Sequence, residues 1–489
     1  MKKIFPIFIG MLVLGIAALC VLPGYILQES DQVQMTEQVL LGDPAIVEGV
    51  TIKGYNHYNG NLFWDTTYVA GKDPAVETEY RFSASQEYAS LSPMASWQEE
   101  RGYDCMQWSG VGNGGWGVSG GSISLDENKS IKRYGLTEAY EALEKETKAG
   151  EEKEKTVYLN DYIDYYPVEI VLRDTQMTKH SFDTEEWGEA YTSLFKVPLQ
   201  SLLPYTIELE KNEKGEIVSI GGGTNGVGFH WNTASICTDT DIYFTFCPYF
   251  AGKRIENSIS RGGFGIYRQP YSNDKWDTIL YPEQLELFYP LAENFYEGRE
   301  LLLDINEDNQ MVIITDTETE TRLRVIDLET GKLVEEDAFS HESEKMNLID
   351  IARATEEFLV LQYEDNYYAV IERQGENGYE HRMTFQVEQG DLLHSHDFTN
   401  ENAMDWDGKR LLFASYGREE NRYYDLCDFE LAVYDKTGQI YHGKYRCSLM
   451  SEQERQPGQD YESEWDAINS GQIQHCEPRT AVSMEVTWP

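Results

Sequence analysis

The sequence predicts an all-β body built from repeated units of roughly four short strands, preceded by one apolar helix. Two observations predict the body. From residue 46 onward, short alternating runs such as Ile217–Ile220, Leu359–Tyr363 and Leu411–Ser415 are separated by Gly, Asn and Asp turn signals. A strand–Asp–turn–strand string also recurs: Val325-Ile326-Asp327-Leu328-Glu329-Thr330-Gly331 is echoed by Val433-Tyr434-Asp435-Lys436-Thr437-Gly438, with a weaker copy at Ala369–Gly375. The helix is predicted by Ile4 to Leu27, 24 residues without a charge.

In chain order, residues 1–27 come first. Lys2 and Lys3 are their only charges, and as a helix the apolar run would extend roughly 36 Å, enough for a hydrocarbon core of about 30 Å. Basic residues before it and dense acid after it place the N-terminus inside and the rest outside. The expectation is a single-pass membrane protein with an extracytoplasmic body. A cleaved signal peptide and a lipid anchor at Cys20 are the alternatives. Residues 28–45 are polar and read as a tether. Leu136 to Lys155, rich in helix formers and mixed charge, reads as a solvated helical insert. The unassigned stretch 447–489 reads as an acidic tail.

The repeat carries a second hairpin ahead of each clear copy: Asp304–Asn309 before Met311–Thr315, and Asp405–Lys409 before Arg410–Ser415. A spacing of roughly 45 to 60 residues with about four strands per unit points to propeller blades across residues 46–446. Candidate blades lie near 46–85, 86–130, 156–221, 224–275, 280–337, 346–388 and 390–446, about seven, with six to eight compatible with the rhythm.

The stretch from His396 through Asp407-Gly408-Lys409, Leu411–Ser415 and Val433-Tyr434-Asp435 resembles one blade of the WD40-like and quinoprotein-like β-propeller families. The resemblance covers residues 295–446 and departs from a WD40 blade where Tyr434-Asp435 and Ile326-Asp327 replace the terminal Trp-Asp. It implies a propeller-like fold and no particular active site. The whole chain also resembles single-pass exported proteins of Gram-positive bacteria.

Composition narrows the partners. The 85 acidic residues against 40 basic ones exclude nucleic acid, whose phosphates need clustered Lys and Arg. None of those acids falls within the first 27 residues, so the exported part is more acidic still and repels anionic lipids and polymers. With 41% apolar residues the chain buries a large core. Of seven cysteines, Cys237 with Cys247 and Cys427 with Cys447 would each close a short loop between neighbouring strands; buried thiols are the alternative.

Several strings match catalytic or binding patterns, and context argues against each. Gly117-Val118-Ser119-Gly120-Gly121 fits a nucleophile elbow but lacks the following helix. Gly110–Gly115 and Gly221–Gly226 fit G-x-G-x-x-G, also without a helix, and read as turns or bulges. His394 and His396 share a strand face, but a third metal ligand such as His341 or His381 cannot be placed, so they read as structural. Asp304–Asp308 alternates oxygens as a calcium loop does, yet Asn309 and Thr315 stand where an EF-hand wants Gly and Glu, which favours a strand-joining turn. Aromatic clusters remain: Tyr55, His57, Tyr58, Phe63 and Trp64; Tyr158, Tyr162, Tyr165 and Tyr166; Phe229, His230 and Trp231; Tyr423 and Tyr424. They suit either blade interfaces or stacking on sugars.

No residue is assigned as catalytic, cofactor-binding or metal-binding, and no cofactor is expected. The sequence favours a non-catalytic binding or scaffolding protein, joined to the membrane by its N-terminal helix, with an extracytoplasmic protein or glycan as ligand. The alternative is a glycan-active enzyme or carbohydrate-binding module on the same scaffold.

Overall fold

Alternation of apolar and polar residues turns most of the described residues into antiparallel strands. A computed structural model describes residues 33–58, 62–72, 76–82, 106–110, 115–125, 128, 131–132, 134–166, 168–172, 194–199, 202–224, 230–232, 234–250, 253–255, 263–273, 278–291, 301–317, 319–341, 346–375, 378–387, 403–416, 428–448 and 480–489. Among these residues, six antiparallel sheets have four or five strands and three smaller ones have two or three.

The fourth, fifth and sixth sheets follow the chain as four-stranded meanders. The fourth runs Leu301–Ile305, Gln310–Asp316, Glu320–Asp327, Leu333–Ser340. The fifth runs Leu348–Ala354, Phe358–Tyr363, Tyr367–Gln374, Gly378–Gln386. The sixth runs Ala403–Trp406, Leu411–Tyr416, Phe429–Asp435, Gly438–Cys447, with a fifth strand added at its edge. All three copies of the sequence echo occupy the same place, the hairpin joining third and fourth strands. The reason is local. Asp327 accepts from the Thr330 amide and hydroxyl, Asp435 does the same for Thr437, and Gly331 and Gly438 supply positive φ.

The chain forms two compact units. One comprises Met1–Trp97, Ile349–Gly375 and Tyr379–Pro489. In it the fifth and sixth sheets share a core of Val360, Tyr368, Val370, Phe413, Ala432 and Tyr434. The sixth packs on the first through Leu412, Leu431, Val433, Ile52, Tyr68 and Val486. The other unit comprises Gln98–Leu348 and Glu376–Gly378. There the second sheet (Gly115–Ser119, Ile217–Thr224, Pro204–Lys211, Glu152–Tyr158) and the third (Ser235–Cys237, Asp241–Thr245, Gly265–Asn273, Thr278–Leu280, with Glu286–Pro290 also paired to Gly265–Asn273) share a core that includes Tyr140, Tyr205, Phe244 and Tyr267. The third and fourth meet at Ile236, Tyr243, Ile266, Met311 and Ile313.

Both chain ends return to the first unit. Residues 28–45 are not a tether throughout, because Met35–Leu41 is the outermost strand of the sixth sheet, with Met35 opposite Cys447. Residues 447–489 are not all tail, because Thr480–Thr487 is an edge strand of the first sheet, ahead of Thr51–Tyr58, Leu62–Val69 and Val76–Phe82. Its burial explains the pairing: Met484 and Val486 reach the core while Glu485 and Thr487 face water. Trp488 then crosses to the sixth sheet. Its amide donates to Asp405 Oδ2 (2.7 Å), its indole N–H to the Asp405 carbonyl (3.3 Å), and Arg410 lies over its ring at 4.3 Å.

Two further expectations change. The helical insert is shorter than 136–155: helix α1 is Thr137–Glu146, and Glu152–Tyr158 is an edge strand of the second sheet. The helix is not merely solvated, since Ala139, Tyr140 and Leu143 are buried. A separate blade at 86–130 does not form among the described residues. Met106–Gly110 pairs with Val168–Leu172, and Gly115–Ser119 pairs with Ile217–Thr224. Cys237 and Cys247 pack against different cores and are not bonded to each other; Cys427 lies outside the described residues. The apolar run 4–27 also lies outside them. Among the described residues no helix is long and apolar enough to cross a membrane.

Candidate functional site

Most strings singled out in the sequence resolve into framework. Ser119 ends an edge strand, opposite Ser219, and heads no helix. Gly221–Gly223 lie in the strand Ile217–Thr224 rather than in a turn. A Cβ on Gly222 would stand 2.6 Å from Tyr205 and 2.8 Å from the Tyr140 hydroxyl, so the glycine admits the two tyrosines that dock the helix. Asn306 organises the Asp304–Asp308 turn, accepting from the amides of Asp308 and Gln310 at 3.1 Å each. His394 and His396 lie outside the described residues, as do Phe229, Tyr423 and Tyr424. Among the described residues no group of three His, Cys, Asp or Glu is placed to hold a metal.

One buried triad resembles catalytic machinery and differs in a decisive way. His341 Nε2 lies 2.9 Å from Asp316 Oδ1 and 3.1 Å from Thr321 Oγ1, and Thr321 also donates to Asp316 Oδ1 at 3.0 Å. A nucleophile relay needs the acid and the hydroxyl on opposite ring nitrogens. Here they share one, and all three side chains are buried, so the triad ties strand ends together. The Leu348 amide completes it by donating to Asp316 Oδ2 (3.2 Å). Thr321→Val is expected to cost about 1–2 kcal/mol in urea unfolding, the usual penalty for stripping one partner from a buried carboxylate.

A second polar cluster is electrostatic. Glu430 accepts from His442 Nε2 and Lys444 Nζ, both at 2.7 Å. Burial alone raises the Glu430 pKa, but hydrogen bonds from His442 and Lys444 outweigh it and hold the carboxyl below its ordinary value. A depressed carboxylate stabilises the fold above its unfolded pKa, near 4.3, and that contribution is lost as pH falls through the folded value. Glu430→Gln is therefore expected to flatten the acid limb of a stability-versus-pH curve, where the native carboxylate becomes protonated. Chemical denaturation from pH 3 to 7 reads it.

The surface that displays chemistry lies on Tyr158–Tyr166. The segment leaves the edge strand, makes a single turn in which the Tyr162 and Ile163 amides donate to the Leu159 carbonyl (2.9 Å each), and then pairs Tyr165 with Pro198. Leu159 and Tyr166 are core residues, and Ile163 packs against the same core. The interleaved tyrosines point outward: Tyr158 is 46% exposed, Tyr162 36% and Tyr165 45%. Asn160 Oδ1 accepts from the Leu203 amide (2.9 Å), and Lys196 Nζ lies 5.4 Å from the Tyr165 ring centroid. Asp161 and Asp164 are exposed in the same segment. The sequence named these tyrosines as a cluster; only the structure separates the three displayed rings from buried Tyr166. Trp64, from another cluster, is core.

No family model matches the chain, and no curated protein matches it. Solved structures show distant likeness. A Lactobacillus plantarum protein is 10% identical over 50% of this chain and 66% of its own, with a TM-score of 0.24. The chain thus spans just under two thirds of that relative. The β-propeller domain of Cps50 (Swd1) from Myceliophteria thermophila is 11% identical over 49% of this chain and 81% of its own (TM-score 0.22). Hsv2 from Kluyveromyces lactis is 12% identical over 52% and 85% (TM-score 0.22).

Proposed function

We propose that this chain is a membrane-tethered, extracytoplasmic binding or scaffolding protein with a β-propeller-like body. The observation that carries the binding role is the exposed tyrosine surface. Its rings sit on a backbone clamped by Leu159, Ile163 and Tyr166, and large apolar side chains displayed together on a clamped backbone mark contact surfaces. The tethered, outward-facing placement rests on the uncharged run Ile4–Leu27 with its flanking charge asymmetry.

The test is fractionation and protease shaving of intact cells expressing the full chain. The protein should resist alkaline carbonate extraction from membranes, and external protease should remove the body. Recovery in the soluble fraction, or protection of the body in intact cells, would overturn the placement. Turnover of a glycan by purified protein would overturn the non-catalytic role.

A further inference from the structure

We propose that the strand Met35–Leu41 is the membrane-contacting edge of the body, with Val39, Leu40 and Leu41 seated in the headgroup boundary of the bilayer that holds the N-terminal run. The proposal rests on the tethered placement above and adds which part of the body meets lipid. Chain length supplies the first argument. The body takes hold of the chain at Val33, which is buried, and at Gln34, whose amide donates to Ser448 Oγ and whose carbonyl accepts from the Ser448 amide, both at 2.8 Å. Only residues 28–32 separate Val33 from Leu27, the end of the uncharged run. Whatever path they take, the steps from Leu27 to Val33 span at most about 22 Å, and the headgroup layer occupies about 5–8 Å of that. The N-terminal end of the strand is therefore held beside the lipid surface, a constraint that a tether running to residue 45 would not impose.

The side chains supply the second argument. Val39, Leu40 and Leu41 are consecutive and 38%, 45% and 44% exposed, so their apolar surface is continuous. They lie on a fifth strand added outside a four-stranded meander, whereas the first and fifth sheets, on which the sixth packs, have four strands each. Directly paired residues share a sheet face. Val39 pairs with Gly443 and, after a slip in register, Leu41 pairs with His442, so these two side chains leave opposite faces. A fluid lipid boundary closes around a strand end that is apolar on both faces; a folded protein surface covers one. Charge separates this edge from the others. Glu152–Lys155 is charged at every position of its edge strand, and Leu333–Ser340 carries Glu335, Glu336 and Asp337. Met35–Leu41 has a single acid, Glu37, which accepts from the Tyr441 and Tyr445 hydroxyls at 2.8 and 3.2 Å. The adjoining Gly438–Cys447 has no acid and places Lys444, which also pairs with Glu430, opposite Gln38 and Arg446 opposite Thr36. In a chain of 85 acids to 40 bases, this strand pair does not add to the repulsion of anionic lipid.

The experiment is photo-cross-linking of the full chain reconstituted in vesicles of phosphatidylcholine and phosphatidylglycerol. One sample carries Leu40→p-benzoylphenylalanine and the other Leu333→p-benzoylphenylalanine, and adducts are read by mass. Leu333 is as exposed as Leu40, at 45%, but lies on the acid-guarded edge of the fourth sheet. A phospholipid adduct is expected at Leu40 with a yield about fivefold or more above that at Leu333. Adding Val39→Ser/Leu41→Ser should lower that yield about threefold or more with an unchanged melting temperature. Should the Leu40 sample misfold, the same probe at Gln38, exposed on the same strand, takes its place. Equal yields at Leu40 and Leu333, an adduct unaffected by the two serines, absence of any lipid adduct, or cross-linking to a second copy of the chain in place of lipid would each overturn the contact. Carbonate extraction of the same vesicles separates this from the tether. A chain that resists extraction yet gives no lipid adduct at Leu40 loses the contact alone; a chain that is extracted loses both.

Discussion

Deleting residues 480–489 is expected to unfold the unit that contains both chain ends. The deletion takes Met484 and Val486 out of the core shared by the first and sixth sheets, together with the whole ladder to Thr51–Tyr58. Burying each such side chain contributes about 1.5–3 kcal/mol, so the apolar loss alone is roughly 3–6 kcal/mol. Typical stabilities are about 5–15 kcal/mol, so the deletion consumes a large share. Trp488→Ala isolates the last contact. It removes the stacking with Arg410 and the indole hydrogen bond to Asp405 but keeps the strand, and should cost about 1–3 kcal/mol. Urea unfolding of the two variants should rank them in that order. A deletion that unfolds like the intact chain would show that the terminal strand is dispensable.

Gly265→Ala should be strongly damaging for the addition of a single methyl group. Gly265 faces Pro290 across the third sheet, and its Cβ would stand 2.2 Å from the Tyr289 carbonyl oxygen and 2.8 Å from the Pro290 Cα. Those are backbone atoms, so no rotamer change relieves the clash and the strand pair must separate. Overpacking of this kind costs typically about 1–3 kcal/mol, and a rigid neighbour places this site at about 3 kcal/mol or more. Gly121→Ala is the control, with nothing within 4 Å and no positive φ, and should be neutral. Equal melting temperatures for the two variants would contradict the close approach.

The hairpins were legible because their chemistry is local. Asp327 with Thr330, Asp435 with Thr437 and Asn306 with Gln310 each close a turn within five residues, and the sequence names every partner. Alternation in the C-terminal half likewise marked strands that pair with their immediate neighbours. The glycine strings misled for the opposite reason. Gly222 is glycine because Tyr140 and Tyr205 approach it, and Tyr140 is 82 residues away in the sequence. The tyrosine segment was half legible: its composition suggested a cluster, while the division into three displayed rings and one buried ring required the core beneath it.

By itself the sequence determined the strand-rich class, the turns that repeat through the C-terminal half, a strongly acidic charge balance, and an uncharged N-terminal run. Only the tertiary structure decided that Met35–Leu41 completes the last sheet and that Thr480–Thr487 completes the first. Those pairings join residues more than four hundred positions apart, and no local pattern specifies the partner of an alternating strand. For Thr480–Thr487 the apolar face is the reason: Met484 and Val486 enter one core with Ile52, Leu412 and Leu431, and Trp488 packs against it.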